Sequence, residues 1–129
     1  PAGAVLIAPW VDLTTIAAHR SSKAAVPLRG SQRAAQEYIG DSRLDDPLAS
    51  GLYADLSGLP PVMIQASTGE MLRDDAVRLD AKARHAGVES NLRLWDGVPH
   101  VWHIFAGLRE SREAFGDIAG FISSVLRKE

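Results

Sequence analysis

Three apolar segments along the chain predict β-strands. Residues 4–8 form a continuous apolar run closed by Pro9, which is typical of a strand buried on both faces of a parallel sheet. Residues 61–66 form a second apolar run, and Ser90–Trp95 alternates leucines with polar side chains. The segments lie far enough apart for the helix-length connections that parallel neighbours require.

Two amphipathic helices are predicted over residues 71–86 and 110–127. In the first, apolar residues recur at intervals of three and four among charged ones, and Gly87 ends it. The second repeats this pattern and ends in Arg127 and Lys128, whose charge suits the negative end of a helix dipole. The order strand, helix, strand, helix predicts an α/β fold, in which a mostly parallel sheet is flanked by helices.

The segment 12–58 interrupts this rhythm. It is rich in Ser, Gly, Asp and Pro and carries one predicted helix, at residues 31–39. Connections of this length inside compact domains are usually functional lids or disordered.

Composition narrows the class of protein. With 129 residues, 46% of them hydrophobic, and a formal net charge of -2, the chain can form a core, and nucleic acid is not an expected partner. No apolar run approaches the roughly 20 residues of a membrane helix, so we expect no membrane span. The absence of cysteine excludes disulfides and thiolate metal sites and is compatible with the cytoplasmic location that we expect.

Polar residues with catalytic potential follow the second and third predicted strands, where open α/β sheets bind ligands. His100 is either a general base or a residue that packs against the last helix, and spacing leaves both readings open. Glu70, Asp74 and Asp75 lie near the start of a predicted helix, where the dipole favours carboxylates in any case. A carboxylate at one strand end and a histidine at the next are nevertheless the two orienting members of an acid-histidine-nucleophile triad. His103 is expected inside the start of the last helix, with a structural role.

Four blocks of sequence carry a family resemblance. They are Ala8-Pro9-Trp10-Val11-Asp12-Leu13-Thr14, then Asp46-Pro47-Leu48-Ala49-Ser50 with residues 52–61, then Glu70-Met71-Leu72-Arg73-Asp74-Asp75, then Asp96-Gly97-Val98-Pro99-His100. In this order and spacing they resemble the hormone-sensitive lipase family of α/β-hydrolase esterases, and the resemblance covers essentially the whole chain.

The resemblance implies roles for particular residues. It makes His100 the triad base and Glu70 the triad acid, with Asp74 as the fallback acid, and it leaves Asp96 to shape the turn before His100. It also implies a carboxylic ester hydrolase of the serine esterase or lipase type, with a small-molecule acyl ester as substrate and no metal or organic cofactor.

Two family motifs are missing from these 129 residues: the Gly-x-Ser-x-Gly turn of the nucleophile and the His-Gly-Gly segment of the oxyanion hole. Ser42 in Gly40-Asp41-Ser42-Arg43-Leu44 imitates the nucleophile turn, but Leu44 replaces its last glycine, so we interpret Ser42 as a turn serine. We therefore expect residues 1–129 to be the C-terminal part of one α/β-hydrolase domain, inactive on its own.

The resemblance also gives residues 12–58 a role, since this region contributes to the cap over the acyl pocket in the family. Residues 31–39 are then either a lid helix or a surface helix that packs on the domain edge. Trp10, Trp102 and Phe105 are candidates to line an apolar substrate pocket, although aromatic residues at such positions more often fill a core.

The abrupt start of the chain, which reaches its first predicted strand within a few residues of Pro1, suggests a second function. An unpaired edge strand is a template for pairing with another chain. The alternative to an esterase is therefore a non-catalytic interaction module or truncated remnant, which associates through an open sheet edge with a missing N-terminal half or with a second copy of itself.

Overall fold

A computed structural model describes residues 1–14 and 28–127 of the chain. Its sheet has three parallel strands in the order β1-β2-β3. They are β1 (Ala4–Ile7), β2 (Val62–Ser67) and β3 (Ser90–Trp95). The predicted α/β class and its parallel sheet are confirmed, and residues 15–27 of the predicted cap segment lie outside the described residues.

The first strand differs from its prediction in length and in burial. It ends at Ile7, because Ala8 has a φ of 46° and so leaves the extended conformation. All residues of β1 are only partly buried, whereas every residue of β2 is buried. The reason is position, since β2 lies between two strands and β1 is at one edge of the described sheet.

Three α-helices accompany the sheet: α1 (Leu28–Ile39), α2 (Arg73–His85) and α3 (Arg109–Leu126). Short 3-10 helices occupy Gly51–Tyr53 and Trp102–Ile104. Predicted and observed bounds of the α-helices differ by a turn or less at each end. Within the described residues, no helix has the length and apolar character that crossing a membrane requires.

Alternate residues of β2 bind helices on opposite faces of the sheet. Val62, Ile64 and Ala66 belong to one buried cluster with the apolar side chains of α2. Between them Gln65 points the other way, and its side-chain amide donates to the carbonyl of Ala114 in α3 (3.3 Å). Because side chains alternate along a strand, the sheet lies between two helical layers.

The end of α2 is fixed by a glycine. The amide of Gly87 donates to Arg84 and the amide of Val88 donates to Ala83, which is the pattern of a Schellman motif. Gly87 has a φ of +78°, a conformation that costs little only without a Cβ atom. Gly87 therefore ends the helix because the backbone at this position must adopt a positive φ.

A buried polar network ties the segment after β1 to α2. Oδ2 of the buried Asp75 accepts hydrogen bonds from the amides of Val11 and Asp12, both at 3.0 Å. The buried carboxylate of Asp12 binds Arg78 of α2 (2.6 Å) and accepts two hydrogen bonds from Thr14. Asp75, expected only as a dipole-favoured carboxylate, thus holds main chain from a distant part of the sequence.

Candidate active site

Two loops meet at the carboxyl end of the sheet, one after β2 and one after β3. Because β2 and β3 pair in register from Val62 and Ser90 to Ser67 and Trp95, both strands end at the same level. The amide of Thr68 then donates to the carbonyl of Trp95 (2.9 Å), and its hydroxyl donates to Asp96 (2.6 Å). These contacts join the two loops before either reaches its candidate catalytic residue.

The junction brings Glu70 and His100 together. Oε2 of Glu70 lies 2.5 Å from Nδ1 of His100. The Glu70 side chain is 2% exposed and the His100 side chain 39%, so the carboxylate is enclosed while the ring can be reached from outside. The other carboxylate oxygen, Oε1, accepts the amide of Ser67 at 3.0 Å.

This pairing has a direct chemical consequence. An ionised carboxylate accepts hydrogen bonds but cannot donate them, so the shared proton belongs to Nδ1 of His100. The neutral ring then carries its basic lone pair on Nε2. A buried carboxylate of this kind orients the imidazole and stabilises its positive form after it has taken a proton.

Of the two acid candidates, only Glu70 meets the histidine in this geometry. Asp74 is exposed and forms an ion pair with its neighbour Arg73 (3.3 Å). Asp96 accepts the hydroxyl of Thr68, a contact that fits the predicted role in the turn before His100. Ser42 is exposed in the turn that follows α1, where its amide donates to Ile39.

Ser67 was not singled out from the sequence, yet it contacts both loops. Its hydroxyl donates to the carbonyl of Val98 (2.6 Å) and accepts the amide of Gly69 (3.2 Å). The only sequence signal was a hydroxyl residue placed directly after the apolar run of residues 61–66. A position in the sequence does not say which main-chain carbonyl will come to lie beside it.

His103 lies away from the Glu70 pair. It occupies the 3-10 helix before α3, so its predicted place inside the start of the last helix is wrong; α3 begins only at Arg109. The ring is buried, and its Nε2 lies 2.7 Å from Oε1 of Gln65. Burial lowers the pKa of His103 and so favours the neutral ring. Because Oε1 of Gln65 can only accept a hydrogen bond, this contact favours a proton on Nε2.

The three aromatic candidates have different surroundings. Trp102 is completely buried and packs against the rings of Trp95 and His103, so the prediction that it lines a pocket is wrong. Its ring has no exposed surface left for a ligand. Trp10 is partly buried against the cluster formed by α1 and Leu13, and Phe105 is 46% exposed.

No group of three or more His, Asp or Glu side chains suited to a metal ion occurs within residues 1–14 and 28–127. The arrangement that the structure shows is a buried carboxylate bonded to a partly exposed imidazole, a pair able to act in acid-base chemistry.

Comparison with known proteins identifies the family of the chain. A family model described as the alpha/beta hydrolase fold matches residues 1–104. The acetyl-hydrolase of Streptomyces hygroscopicus is 39% identical over 125 residues, which are 93% of this chain and 42% of that protein. The crystal structure of EstE5 soaked with p-nitrophenyl butyrate has a TM-score of 0.88 at 35% identity, covering 97% of this chain and 44% of that one.

A crystal structure of an esterase from the bacterial hormone-sensitive lipase family has a TM-score of 0.83 at 40% identity, covering 94% of this chain and 42% of that one. The chain thus spans less than half the length of each of these relatives. The predicted family resemblance is confirmed by sequence and by structure. The chain belongs to the hormone-sensitive lipase family of α/β-hydrolases.

Proposed function

We propose that this chain is the C-terminal portion of a serine carboxylesterase, to which it supplies the general base His100 and the orienting acid Glu70. The observation that carries the proposal is the enclosed hydrogen bond between Oε2 of Glu70 and Nδ1 of His100. Relatives named as an acetyl-hydrolase and an esterase support it.

The proposed reaction proceeds in two stages. A serine hydroxyl from the N-terminal portion attacks the ester carbonyl while Nε2 of His100 takes its proton. Glu70 stabilises the resulting imidazolium, which passes the proton to the departing alkoxide and leaves an acyl-serine. Water then attacks the acyl-serine while Nε2 of His100 takes its proton. His100 returns that proton to the serine oxygen as the bond to the acyl group breaks and the carboxylic acid leaves.

The nucleophile and the oxyanion donors are assigned to the N-terminal portion because their sequence motifs do not occur in this chain. Neither Gly-x-Ser-x-Gly nor His-Gly-Gly occurs in the 129 residues. Ser42, whose surroundings come nearest to the first motif, follows a helix rather than a strand. On this proposal the chain by itself does not hydrolyse esters.

The substrate is proposed to be a small-molecule acyl ester, bound beneath a cap to which residues 12–58 contribute. Support comes from α1, whose Ala35 and Ile39 pack with Leu13 and Trp10 in a cluster separate from the main core. A helix attached through its own small cluster is suited to a lid, because it can move without opening the core. Trp10 and Phe105, the latter 46% exposed, are the residues proposed to line the pocket.

The roles of acid and base are tested in the complete protein with p-nitrophenyl butyrate, an activated ester. We expect His100→Ala to lower kcat by about 10⁶-fold and Glu70→Gln by about 10⁴-fold, the losses that follow removal of the triad histidine and acid in serine hydrolases. Asp74→Asn is the matched control because it also removes one carboxylate from the same segment, and it should keep kcat within about twofold.

Two results would contradict this proposal. If Asp74→Asn lost activity and Glu70→Gln kept it, the acid would be misassigned. If the purified 129-residue chain turned over the ester by itself, and His100→Ala abolished that turnover, the assignment of the nucleophile to another segment would be wrong.

One structural observation favours a protein partner, whether or not the chain is catalytic. Strand β1 is the edge of the described sheet, and its residues are only partly buried. We propose that an N-terminal portion of the fold covers this edge. Light scattering of the isolated chain tests the edge: a monomer at high concentration counts against self-association, whereas a dimer that a co-expressed N-terminal portion dissociates supports pairing there.

A further inference from the structure

The turn that carries His100 contains a strained residue. Val101, directly after His100, has φ 50° and ψ 44°, in the left-handed region. A β-branched residue is a rare occupant of this region, because its branched side chain crowds the backbone there. They persist only where the surrounding structure holds them, so contacts on either side of Val101 must fix the turn.

On the C-terminal side of Val101, the turn is held by buried residues. Trp102 is completely buried, and its carbonyl accepts the hydroxyl of Ser111 from α3 at 2.7 Å. The next residue, His103, binds Gln65 of β2. The main chain that leaves Val101 is therefore attached both to the last helix and to the central strand.

On the N-terminal side of Val101, the turn is held by a hydrogen bond from Ser67. Its hydroxyl donates to the carbonyl of Val98, two residues before His100, at 2.6 Å. Ser67 is itself buried, and it is the last residue of β2, the strand with the fullest burial. The contact thus joins the histidine turn to the most fully buried strand of the sheet.

The same serine also holds the acid. Its amide donates to Oε1 of Glu70 at 3.0 Å, and its hydroxyl accepts the amide of Gly69 within the acid's own turn. One residue therefore fixes Glu70 through its main chain and the His100 turn through its side chain. The two functional groups are set relative to one another by a single backbone position.

We propose that Ser67 is a positioning residue for the acid-base pair: its hydroxyl sets the place of the His100 turn against Glu70, so that the bond from Nδ1 to Oε2 forms before substrate binds. This inference rests on the proposed function. Ser67 takes no part in the chemistry and acts only through His100 and Glu70. Displacements of about 1 Å in such groups can cost about a hundredfold in rate.

Thr68 provides a matched control. Its hydroxyl also bridges the two loops, also at 2.6 Å, but it binds the exposed side chain of Asp96 rather than the main chain beside His100. Thr68→Val and Ser67→Ala each remove one hydroxyl from the same junction. A difference between them isolates the effect of holding the Val98 carbonyl.

The experiment measures kcat and KM for p-nitrophenyl butyrate in the complete protein. We expect Ser67→Ala to lower kcat 10- to 100-fold with KM within about twofold, while Thr68→Val keeps both within about twofold. Ser67→Thr, which keeps the hydroxyl, should recover most of kcat. If Ser67→Ala does not fold, Ser67→Cys replaces it, because a thiol of similar size is a weak donor, and the same order of rates is expected.

A second readout does not depend on turnover. In protein labelled with ¹⁵N-histidine, the Nδ1–H of His100 should give a proton signal far downfield, identified by its loss in His100→Ala. We expect Thr68→Val to keep this signal and Ser67→Ala to shift or lose it. A structural effect alone would lower thermal stability without moving this signal or kcat.

The outcomes distinguish failure of the positioning role of Ser67 from failure of the proposed function. Equal kcat and equal histidine signals in Ser67→Ala and Thr68→Val would overturn the positioning role. So would a Ser67→Ala variant that changes KM or stability alone. If His100→Ala itself retained activity, the proposed function would fail, and the NMR comparison would still decide whether Ser67 orients the histidine.

Discussion

Asp75 offers a stringent test of how the fold is held, because its carboxylate is completely buried and binds main chain from another part of the sequence. Oδ2 accepts the amides of Val11 and Asp12 at 3.0 Å each. Asp75→Ala removes the acceptor of both donors at once. The perturbation is local to α2, but its effect falls on the segment after β1.

The magnitude follows from the burial of those two amides. A buried donor left without a partner costs about 1–3 kcal/mol, and the amide of Val11 is only partly buried, so the loss should be about 2–4 kcal/mol. Asp75→Asn keeps an oxygen acceptor but loses its charge, and should cost about 1–2 kcal/mol. Losses of this size are large beside a typical stability of about 5–15 kcal/mol.

Asp74→Ala is the control, since it removes a carboxylate one residue away in the same first turn of α2 but on the exposed side. Urea denaturation followed by tryptophan fluorescence gives midpoints and slopes for all variants in one background. We expect the midpoint to fall in the order Asp74→Ala, Asp75→Asn, Asp75→Ala. If Asp75→Ala denatured at the same midpoint as Asp74→Ala with an unchanged slope, the account of the buried amides would be refuted.

Two further predictions concern stability. Burial raises the pKa of the Asp12 carboxyl, but hydrogen bonds from Thr14 and Arg78 outweigh this and hold the pKa below its ordinary value. The folded state therefore binds this proton less readily than the unfolded chain. The contribution of Asp12 to the free energy of unfolding should be complete above about pH 4 and should fall as the pH drops further. In Asp12→Asn, the urea midpoint should therefore fall less steeply with decreasing pH. Gly87→Ala should lower the free energy of unfolding by about 1 kcal/mol because of its positive φ, whereas Gly116→Ala, within α3, should raise it by about 0.5–1 kcal/mol. If urea denaturation showed both variants shifted in the same direction, this interpretation would be contradicted.

Local patterns accounted for the main helices and for the central strand. The leucine and alanine spacing of α2, the apolar run of β2 and the glycine after α2 each act within a few residues, so they can be recognised without the fold. The bounds that shifted depend on context. The end of β1 at Ile7, for example, follows from the positive φ of Ala8, and an alanine in the sequence does not predict a positive φ.

The candidate site was predictable in part. Histidine and glutamate at the ends of neighbouring strands are visible as residue types, and the family resemblance selected His100 and Glu70 from among the alternatives. Trp102 was misplaced because an aromatic side chain near a site serves a core or a pocket equally well by its composition. Ser67 was missed because its role depends on one carbonyl of another loop.

The sequence by itself determined the order of strands and helices and the α/β class, because these depend on periodicity and on chemical type along a short stretch of chain. Its resemblance to a family singled out the two residues proposed as acid and base. Only the tertiary structure decided which carboxylate meets the histidine, which tryptophan is buried, and which hydroxyl holds the turn. The physical reason is range: hydrogen bonds of about 3 Å depend on distances that the sheet sets between residues far apart in sequence.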